Sequence, residues 1–177
     1  MKNIILMTLA ASVAMVLCVN NKAFAAVPDG YKTHELPGYR VSLPAEFEKS
    51  DGWSSDDNLS FNSNAINVRD DGDEYLSSAN INVYEMEGDI EELNDYVQNM
   101  VGSARAMDEV CDEPIVEGNT VIVRSISELD EGFVIYWRYI VINEDGRIAG
   151  GTISYYGADA KFYDGIVMPI IQSIEFK

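Results

Sequence analysis

The sequence predicts an α+β fold in which a central antiparallel sheet lies between helices packed on both faces, in α/β/α layers. Three observations support this fold class. The second half of the chain alternates runs of Val, Ile, Tyr and Trp with short acidic turns that contain glycine, which is typical of antiparallel hairpins. The run 133–142 is apolar on both faces of a strand, so both faces need cover. Two other segments carry apolar residues at helical spacing and can supply that cover.

The first twenty-five residues predict a secretory signal peptide. A basic start is followed by an apolar run over 4–19 and by the small-x-small sequence Ala-Phe-Ala at 23–25. The apolar run is shorter than the about 20 residues that a membrane-spanning helix needs. We therefore expect cleavage between Ala25 and Ala26 and a single α+β domain over 26–177. The mature protein is expected to be extracytoplasmic, in the periplasm or secreted.

The two cysteines limit the covalent chemistry of the exported chain. Cys18 lies within the predicted leader, so Cys111 is the only cysteine expected after cleavage, and an intrachain disulfide is excluded. Lipidation of Cys18 is the alternative to cleavage after Ala25, but bulky Leu17 stands where a small residue is normally needed. We expect a free protein that does not insert into the membrane after cleavage.

The charge of the chain restricts its partners. The sequence has 12 basic and 30 acidic residues and a formal net charge of −18, and cleavage leaves ten basic residues and a charge of −20. Such a charge repels other polyanions, and phosphate binding needs clusters of Lys and Arg that this chain lacks. Nucleic acid and anionic membrane surfaces are therefore not expected as partners. Cationic partners and divalent metals are permitted.

Short strands and turns are predicted over the first half of the mature chain. They are, in chain order, an irregular lead-in over 26–38, a strand over 39–43 stopped by Pro44, a hairpin of 59–61 with 66–68 around Asn62-Ser63-Asn64, an acidic loop over 70–74, and a strand marked by Ala79, Ile81 and Val83.

The clearest helix follows Gly88. Asp89 is a good N-cap, and Glu92 occupies the capping-box position three residues later. Apolar residues then recur on one face, which predicts an amphipathic helix lying on an apolar surface. These residues are Ile90, Leu93, Val97, Met100, Val101 and Ala104.

An antiparallel meander is predicted over 114–156. Within it, Gly150-Gly151 predicts a bulge or a place where a helix packs closely on the backbone. After it, Asp159 is expected to cap a second helix with a wide apolar stripe, and Pro169 predicts a kink or an early end. Residues 173–177 are expected to return as a short terminal strand.

Three local patterns are shared with a known superfamily. They are the strand and Pro turn Tyr39-Arg40-Val41-Ser42-Leu43-Pro44-Ala45-Glu46-Phe47, the strand Asn80-Ile81-Asn82-Val83-Tyr84 leading into the helix of Leu93 and Tyr96, and the C-terminal segment Ile170-Ile171-Gln172-Ser173-Ile174-Glu175-Phe176. With the order of elements over 38–177, they resemble the PsbP-like and DcrB-like proteins of the Mog-type fold. The resemblance implies a central antiparallel sheet with helices on both sides. It also implies binding or assistance in assembly, and it brings no shared catalytic motif.

Catalytic signatures are missing from the sequence. His34 is the only histidine, so a zinc site of several His and Cys ligands cannot be assembled within one chain. No nucleophile elbow, P-loop or dinucleotide-binding glycine motif is present. A Cys111–His34 nucleophile and base pair is conceivable, but the acidic residues on both sides of Cys111 disfavour a thiolate. We therefore expect an inert or semi-buried thiol, with intermolecular pairing of Cys111 as the alternative, and no catalytic residues.

The acidic loop over 70–74 is the best candidate for a cation site. Its possible ligands are Asp70, Asp71, Asp73 and Glu74, and calcium prefers several carboxylate oxygens held close together. The spacing does not match an EF-hand, so a solvated hairpin tip is the competing interpretation. Calcium is the one cofactor that the sequence allows, and otherwise we expect none.

Aromatic residues form the other candidate binding surface. If these side chains are exposed, they suit a protein or glycan partner. If they are buried, they belong to the hydrophobic core, and burial is the interpretation favoured here. Trp53, in a polar stretch, is the aromatic residue expected to contact a partner. The strand aromatics in question are Tyr136, Trp137, Tyr139, Tyr155 and Tyr156.

Together these observations predict an exported, non-enzymatic binding or assembly module whose partner is an unidentified protein or small ligand. Three alternatives stay open. They are a calcium-dependent binding protein that uses the loop 70–74, an inhibitor or immunity-type protein, and an enzyme of unrecognised type.

Overall fold

The structure is a computed structural model that describes residues 29–68, 74–130 and 132–177, with backbone alone at Trp53, 64–68 and 74–77. Its strands and helices are β1 (Tyr31–Glu35), β2 (Tyr39–Pro44), β3 (Glu48–Lys49), β4 (Asn58–Val68), β5 (Glu74–Glu87), α1 (Leu93–Ala106), β6 (Val110–Cys111), β7 (Ile115–Glu117), β8 (Thr120–Leu129), β9 (Gly132–Ile142), β10 (Arg147–Tyr156), α2 (Ala160–Tyr163), α3 (Val167–Gln172) and β11 (Glu175–Phe176). No described helix is long and apolar enough to cross a membrane.

A large antiparallel sheet dominates the described part of the chain. Its strand order is β3-β4-β5-β10-β9-β8-β6, and β7 also pairs with β8. A smaller sheet has the order β1-β2-β11 and joins the two ends of the described chain. The predicted meander over 114–156 is confirmed as the run from β7 to β10.

The central strand β9 is covered on both faces, as its apolar pattern predicts. Ile135 and Tyr139 are buried on one face, and Ile140 and Ile142 are buried on the other. The first pair belongs to a cluster that includes Tyr163, Val167, Ile170 and Ile171 of α2 and α3. We call this face of the sheet the α3 side. The small sheet adds Tyr39, Val41 and Leu43 to the same cluster.

Helix α1 covers part of the opposite face, which we call the α1 side. Val101 of α1 is buried there, and Leu93, Val97 and Met100 pack around it. Their partners in the sheet are Val121, Val123, Ile140, Ile142 and Ile148. The α+β class with helices on both faces of an antiparallel sheet is therefore confirmed.

Two expectations for the first half of the chain are wrong. The lead-in over 26–38 contains a strand, β1, which pairs along its length with β2. The hairpin around Asn62-Ser63-Asn64 is instead one continuous strand, β4, paired from Asn58 to Val68 with β5. Both segments are rich in polar residues that also suit turns, and pairing with a neighbouring strand decides their conformation.

The helix termini differ in detail from the predicted ones. The Asp89 carboxylate accepts a hydrogen bond from the Glu91 amide (2.9 Å) and so caps the 3₁₀ turn Ile90–Glu92 that leads into α1. Glu92 accepts from the Tyr96 hydroxyl (3.3 Å) and does not complete a capping box. Asp159 makes no side-chain cap. The C-terminal helix is interrupted at Asp164–Ile166, and Pro169 lies in the first turn of α3, where proline is tolerated.

The Gly150-Gly151 pair has a different role from the predicted bulge or helix contact. Both glycines lie in regular register within β10, opposite Tyr84 of β5 and Tyr139 of β9 respectively. A Cβ atom at Gly150 would collide with the Tyr84 ring, and one at Gly151 would collide with the Tyr139 ring. The two tyrosine rings therefore cover the glycine backbone on opposite faces of the sheet.

Candidate functional site

The part of the α1 side that α1 leaves uncovered is lined by hydroxyl and amide groups. Strand register places them in three adjoining rows. We call this surface the polar face. The rows are Ser60, Asn82, Thr152 and Arg138; then Asn62, Asn80, Ser154 and Tyr136; then Ser78, Tyr156 and Val134.

The two-residue repeat of β-strands creates the polar face. Along β4, β5 and β10, one set of alternate residues is buried on the α3 side, for example Phe61, Ile81 and Ile153. Within the polar face, the other set is made of polar residues, namely Ser60, Asn62, Ser78, Asn80, Asn82, Thr152, Ser154 and Tyr156. The sequence therefore buries one side of these strands and leaves the other side able to form hydrogen bonds with a ligand.

Two of its residues are well exposed. Asn80 is exposed, and Tyr156 is 49% exposed, whereas Tyr136 is half-buried. A shallow concavity of about 240 Å³ lies here. It is lined by hydroxyl, amide and ring groups and carries no charge, its lining residues being Ser78, Asn80, Val134, Tyr136, Ser154, Tyr155 and Tyr156.

Charge is nearly missing from the polar face. On the α1 side of β4, β5, β8, β9 and β10, Arg138 is the only charged residue whose side chain the structure describes. Glu48 of the edge strand β3 lies beside Asn62 at the margin. In a chain with a net charge of −18, this surface stands apart from the rest of the molecule.

The guanidinium of Arg138 is neutralised within the fold. It donates to both carboxylate oxygens of buried Glu109 (2.7 and 2.8 Å) and to the Ser125 hydroxyl (2.6 Å), and Ser125 in turn donates to Glu109. Burial alone would raise the pKa of Glu109, but the hydrogen bonds from Arg138 and Ser125 outweigh it and hold that pKa below its usual range.

This cluster also supports an aromatic ring of the polar face. The Arg138 guanidinium lies 4.9 Å from the centre of the Tyr136 ring, within the range of a cation–π contact. Arg138 therefore holds Tyr136 while its own charge is compensated by Glu109. The cluster orients the surface and offers no free carboxylate for acid–base chemistry.

The strand aromatics divide between core and surface. Tyr139 and Tyr155 are buried, as expected of core residues, and Trp137 is half-buried on the α3 side, where its Nε1 donates to the Tyr155 hydroxyl (2.7 Å). Tyr136 and Tyr156 lie on the polar face instead. The core interpretation therefore holds for only part of this group.

The conceivable Cys111–His34 pair is not brought together. Cys111 packs with the cluster beneath α1, whereas His34 contacts Phe61, a residue buried on the α3 side (ring centres 4.5 Å apart). Cys111 is free and half-buried. The two side chains lie on opposite faces of the large sheet and cannot act as nucleophile and base.

The predicted cation and partner residues are largely outside the described part of the structure. Asp70, Asp71 and Asp73 lie outside the described residues, and Glu74 is described by its backbone alone, as the first residue of β5. Trp53 ends a short 3₁₀ turn, and its side chain is likewise outside the description. Among the described side chains, no group of three or more His, Cys, Asp or Glu could hold a metal. The calcium site and the Trp53 contact stay predictions.

The residues of the polar face were not predicted as a site. The sequence pattern places Asn62 in a turn, and Asn80 and Ser154 have no sequence signature of function. The signal that could have revealed them is the alternation itself, because Ser60, Asn62, Asn80 and Asn82 alternate with apolar residues in β4 and β5 without a single charge.

Comparison with solved structures identifies the fold. The Ran-binding protein Mog1p of Saccharomyces cerevisiae superposes with a TM-score of 0.55 at 10% identity, over 82% of this chain and 94% of that one. This chain has a Mog1p-like fold. The similarity confirms the predicted Mog-type architecture and, at this identity, extends no further than the fold.

Two other solved structures align less well. A protein from Bacteroides thetaiotaomicron VPI-5482 gives a TM-score of 0.48 at 10% identity, over 78% of this chain and 45% of that one. Protein PA94 of Pseudomonas aeruginosa, of unknown function, gives 0.48 at 11% identity, over 81% of this chain and 94% of that one. No protein-family profile and no curated protein sequence matches this chain.

Proposed function

We propose that this protein is an exported, non-enzymatic binding module whose partner docks on the polar face. The observation that carries the proposal is the open, hydrogen-bonding surface of the large sheet, whose one described charge, Arg138, is paired with Glu109 in an otherwise acidic chain. Ser, Asn, Thr and Tyr side chains on a rigid sheet are held in fixed positions, so a partner loses little freedom in contacting them.

The chemistry of the polar face suits recognition by hydrogen bonds and ring contacts. A hydrogen bond made on binding contributes on the order of 1 kcal/mol after desolvation, so several are needed for useful affinity. The three rows supply amides and hydroxyls, and Tyr136 and Tyr156 supply apolar area with a polar tip. Tyrosine is enriched among residues that dominate binding energy.

A binding role is favoured over catalysis by how the reactive groups are used. Glu109 is committed to Arg138 and Ser125, and Cys111 and His34 lie on opposite faces of the sheet. Mog1p is a Ran-binding protein, so one protein of this fold binds a protein partner. We extend that general role, a protein partner, to this chain.

Export forms part of the proposal and rests on the sequence of residues 1–25. N-terminal sequencing of protein from its native cell should find Ala26 as the first residue in an extracytoplasmic fraction. Recovery of intact Met1 from the cytoplasm would reject export while leaving the binding role untouched.

The binding role is tested by comparative capture from native envelope extract. Immobilised wild-type protein is compared with Asn80→Lys, which places a charge on the polar face, and with Asn99→Lys, the same change on the exposed surface of α1. We expect a stoichiometric partner that wild type and Asn99→Lys retain and Asn80→Lys loses by about tenfold or more. Equal capture by all three proteins would contradict a role for the polar face.

A further inference from the structure

The edge of the large sheet formed by β6 and β7 exposes apolar side chains. Met107, Val110, Ile115 and Val116 are 55%, 65%, 45% and 47% exposed, and they are four of the eleven exposed large apolar residues in the described part of the chain. We call the segment 107–117 the acidic edge. Exposed apolar residues that are concentrated in this way mark a surface for interaction more often than scattered ones do.

The apolar residues of the acidic edge continue both buried layers outward. Ile115 pairs with Ile122, which is buried on the α3 side, and Val116 pairs with Val121, which is buried beneath α1. A strand added beyond β7 would therefore find an apolar side chain on each face of the sheet. Alternate side chains of one extended segment could contact both.

The backbone at this edge is available for such a strand. In the described part of the chain, β6 and β7 pair with β8, and no strand pairs with their other side. Unpaired strand edges accept extended segments of other chains, and the main-chain hydrogen bonds then supply affinity while side chains supply specificity.

Exposed carboxylates surround the apolar residues. Asp108, Asp112, Glu113 and Glu117 are all exposed, and of these Asp112 forms an ion pair with Arg124 (2.6 Å). A second copy of the chain also has a formal net charge of −18, so it would bring like charges to this edge and be repelled. A cationic segment would be attracted by the same charges.

We infer that the acidic edge is a docking site for an extended, basic segment of another protein, with β-branched or other apolar side chains at alternate positions. Backbone pairing with β7, apolar contact with Ile115 and Val116, and attraction by Glu113 and Glu117 are the three components of recognition. The inference is independent of the polar face, which lies elsewhere on the sheet and carries no acidic cluster.

A defined peptide tests the inference. Binding of a fluorescein-labelled decapeptide of alternating lysine and valine to the purified protein is followed by fluorescence anisotropy. Matched peptides replace lysine by glutamate or valine by serine. We expect the glutamate peptide to bind at least about tenfold more weakly and the serine peptide about fivefold more weakly. Affinity for the lysine–valine peptide should fall severalfold between 50 and 300 mM salt, on the order expected from screening.

Variants locate the binding. Val116→Ser and the double variant Glu113→Gln/Glu117→Gln should each weaken the lysine–valine peptide by about fivefold. Leu129→Ser is the matched control, because Leu129 is as exposed as Val116 but lies at the β8–β9 hairpin. Bound peptide should also slow hydrogen exchange of the amides of 115–117, and a thermal melt of each variant checks that it is folded.

Several outcomes would overturn the inference. Equal binding of the glutamate peptide, unchanged affinity in Val116→Ser, or protection of amides away from 115–117 would each do so. Sedimentation that shows a dimer dissociated by Val116→Ser would assign the edge to a second copy instead. None of these outcomes bears on capture through Asn80, so failure here is distinguishable from failure of the proposed function.

Discussion

The Glu109–Arg138 pair joins the loop after α1 to the middle of the large sheet. Its two charges are partly or fully buried, with side-chain exposures of 3% and 15%, and each depends on the other for compensation. A buried pair adds little net stability compared with apolar residues, but loss of one partner leaves an uncompensated charge. The pair is therefore a position at which single and double substitutions should differ.

We predict that Arg138→Met destabilises the protein by about 3 kcal/mol or more, because Glu109 is left buried without its cation. The double variant Glu109→Gln/Arg138→Met should lose clearly less than the sum of the two single variants. Urea unfolding followed by tryptophan fluorescence measures both. A loss below about 1 kcal/mol in Arg138→Met would show that the pair is not buried as described.

The glycine pair of β10 yields a second prediction at this scale. Gly151→Ala should destabilise by about 1–3 kcal/mol, because the added methyl group collides with Tyr139 and with the carbonyl oxygen of Asn82. Gly102→Ala is the matched control, since Gly102 lies in α1 with open space around it and should gain about 0.5–1 kcal/mol. Thermal unfolding compares the two. Equal changes in melting temperature in the two variants would show that the Tyr139 ring does not pack against Gly151.

His34 makes stability depend on mildly acidic pH. Burial lowers the pKa of His34, the nearby charges of Lys32 and Lys49 lower it further, and its Nε2 is buried without a hydrogen-bond partner. The unfolded chain therefore binds a proton more readily than the folded one, and stability falls as the pH drops below about 6.5.

Replacement of His34 should remove that dependence. In His34→Gln, the stability lost between pH 7.5 and pH 5.5 should be smaller than in the wild type, as measured by urea unfolding at each pH. The Glu109 carboxyl does not interfere with this measurement. Because folding lowers its pKa, the stability that it contributes is lost only as the pH falls from the ordinary pKa of a glutamate toward the lowered one, which is below pH 5.5. An identical pH profile in the two proteins would contradict the burial of His34.

Among the secondary-structure elements, sequence patterns predict a strand well when both of its faces are buried and poorly when one face is open to solvent. The strand β9 and the cap at Asp89 are evident in the sequence because apolar periodicity and capping chemistry each act locally. The strand β4 is missed because Asn62, Ser63 and Asn64 suit a turn as well as a strand, and only pairing with β5 decides between them.

The candidate site also could not be predicted from the sequence. Asn80, Ser154 and Tyr136 are neighbours through register across three strands, and register is not readable from one sequence. What the sequence does show is that the nucleophile-elbow, P-loop and dinucleotide-binding motifs are missing, since those are defined by residue types at fixed spacing. Only composition points to Trp53 and the segment 70–74, and their side chains lie outside the described part of the structure.

A thermal melt with and without calcium tests the alternative of a cation site in the acidic segment 70–74. We expect the melting temperature to stay unchanged in millimolar calcium, because the spacing of the carboxylates does not match an EF-hand and a solvated hairpin tip binds no metal. A melting temperature raised by calcium, reversed by a chelator and abolished in Asp71→Asn/Asp73→Asn would instead support a cation site at Asp70, Asp71, Asp73 and Glu74. The melt in chelator alone is the baseline.

At the scale of the whole molecule, the distribution of charge separates its surfaces. The excess of carboxylates is expected to repel polyanions, and the acidic edge concentrates several of them beside exposed apolar residues. The polar face, in contrast, has one charge among its described strand residues, and that charge is paired. The large sheet thus presents two chemically different surfaces, and the apolar layers beneath α1 and α3 hold both in place.

Site-specific photo-cross-linking in the native cell shows directly whether a partner contacts the polar face. A benzophenone amino acid is introduced in place of Tyr156 on the polar face and, as the control, in place of Asn99 on α1. If a partner binds the polar face, position 156 should give a discrete cross-linked adduct after irradiation and position 99 should give none. An adduct from position 99 alone, or none from position 156 in folded and exported protein, would contradict the polar face as the binding surface.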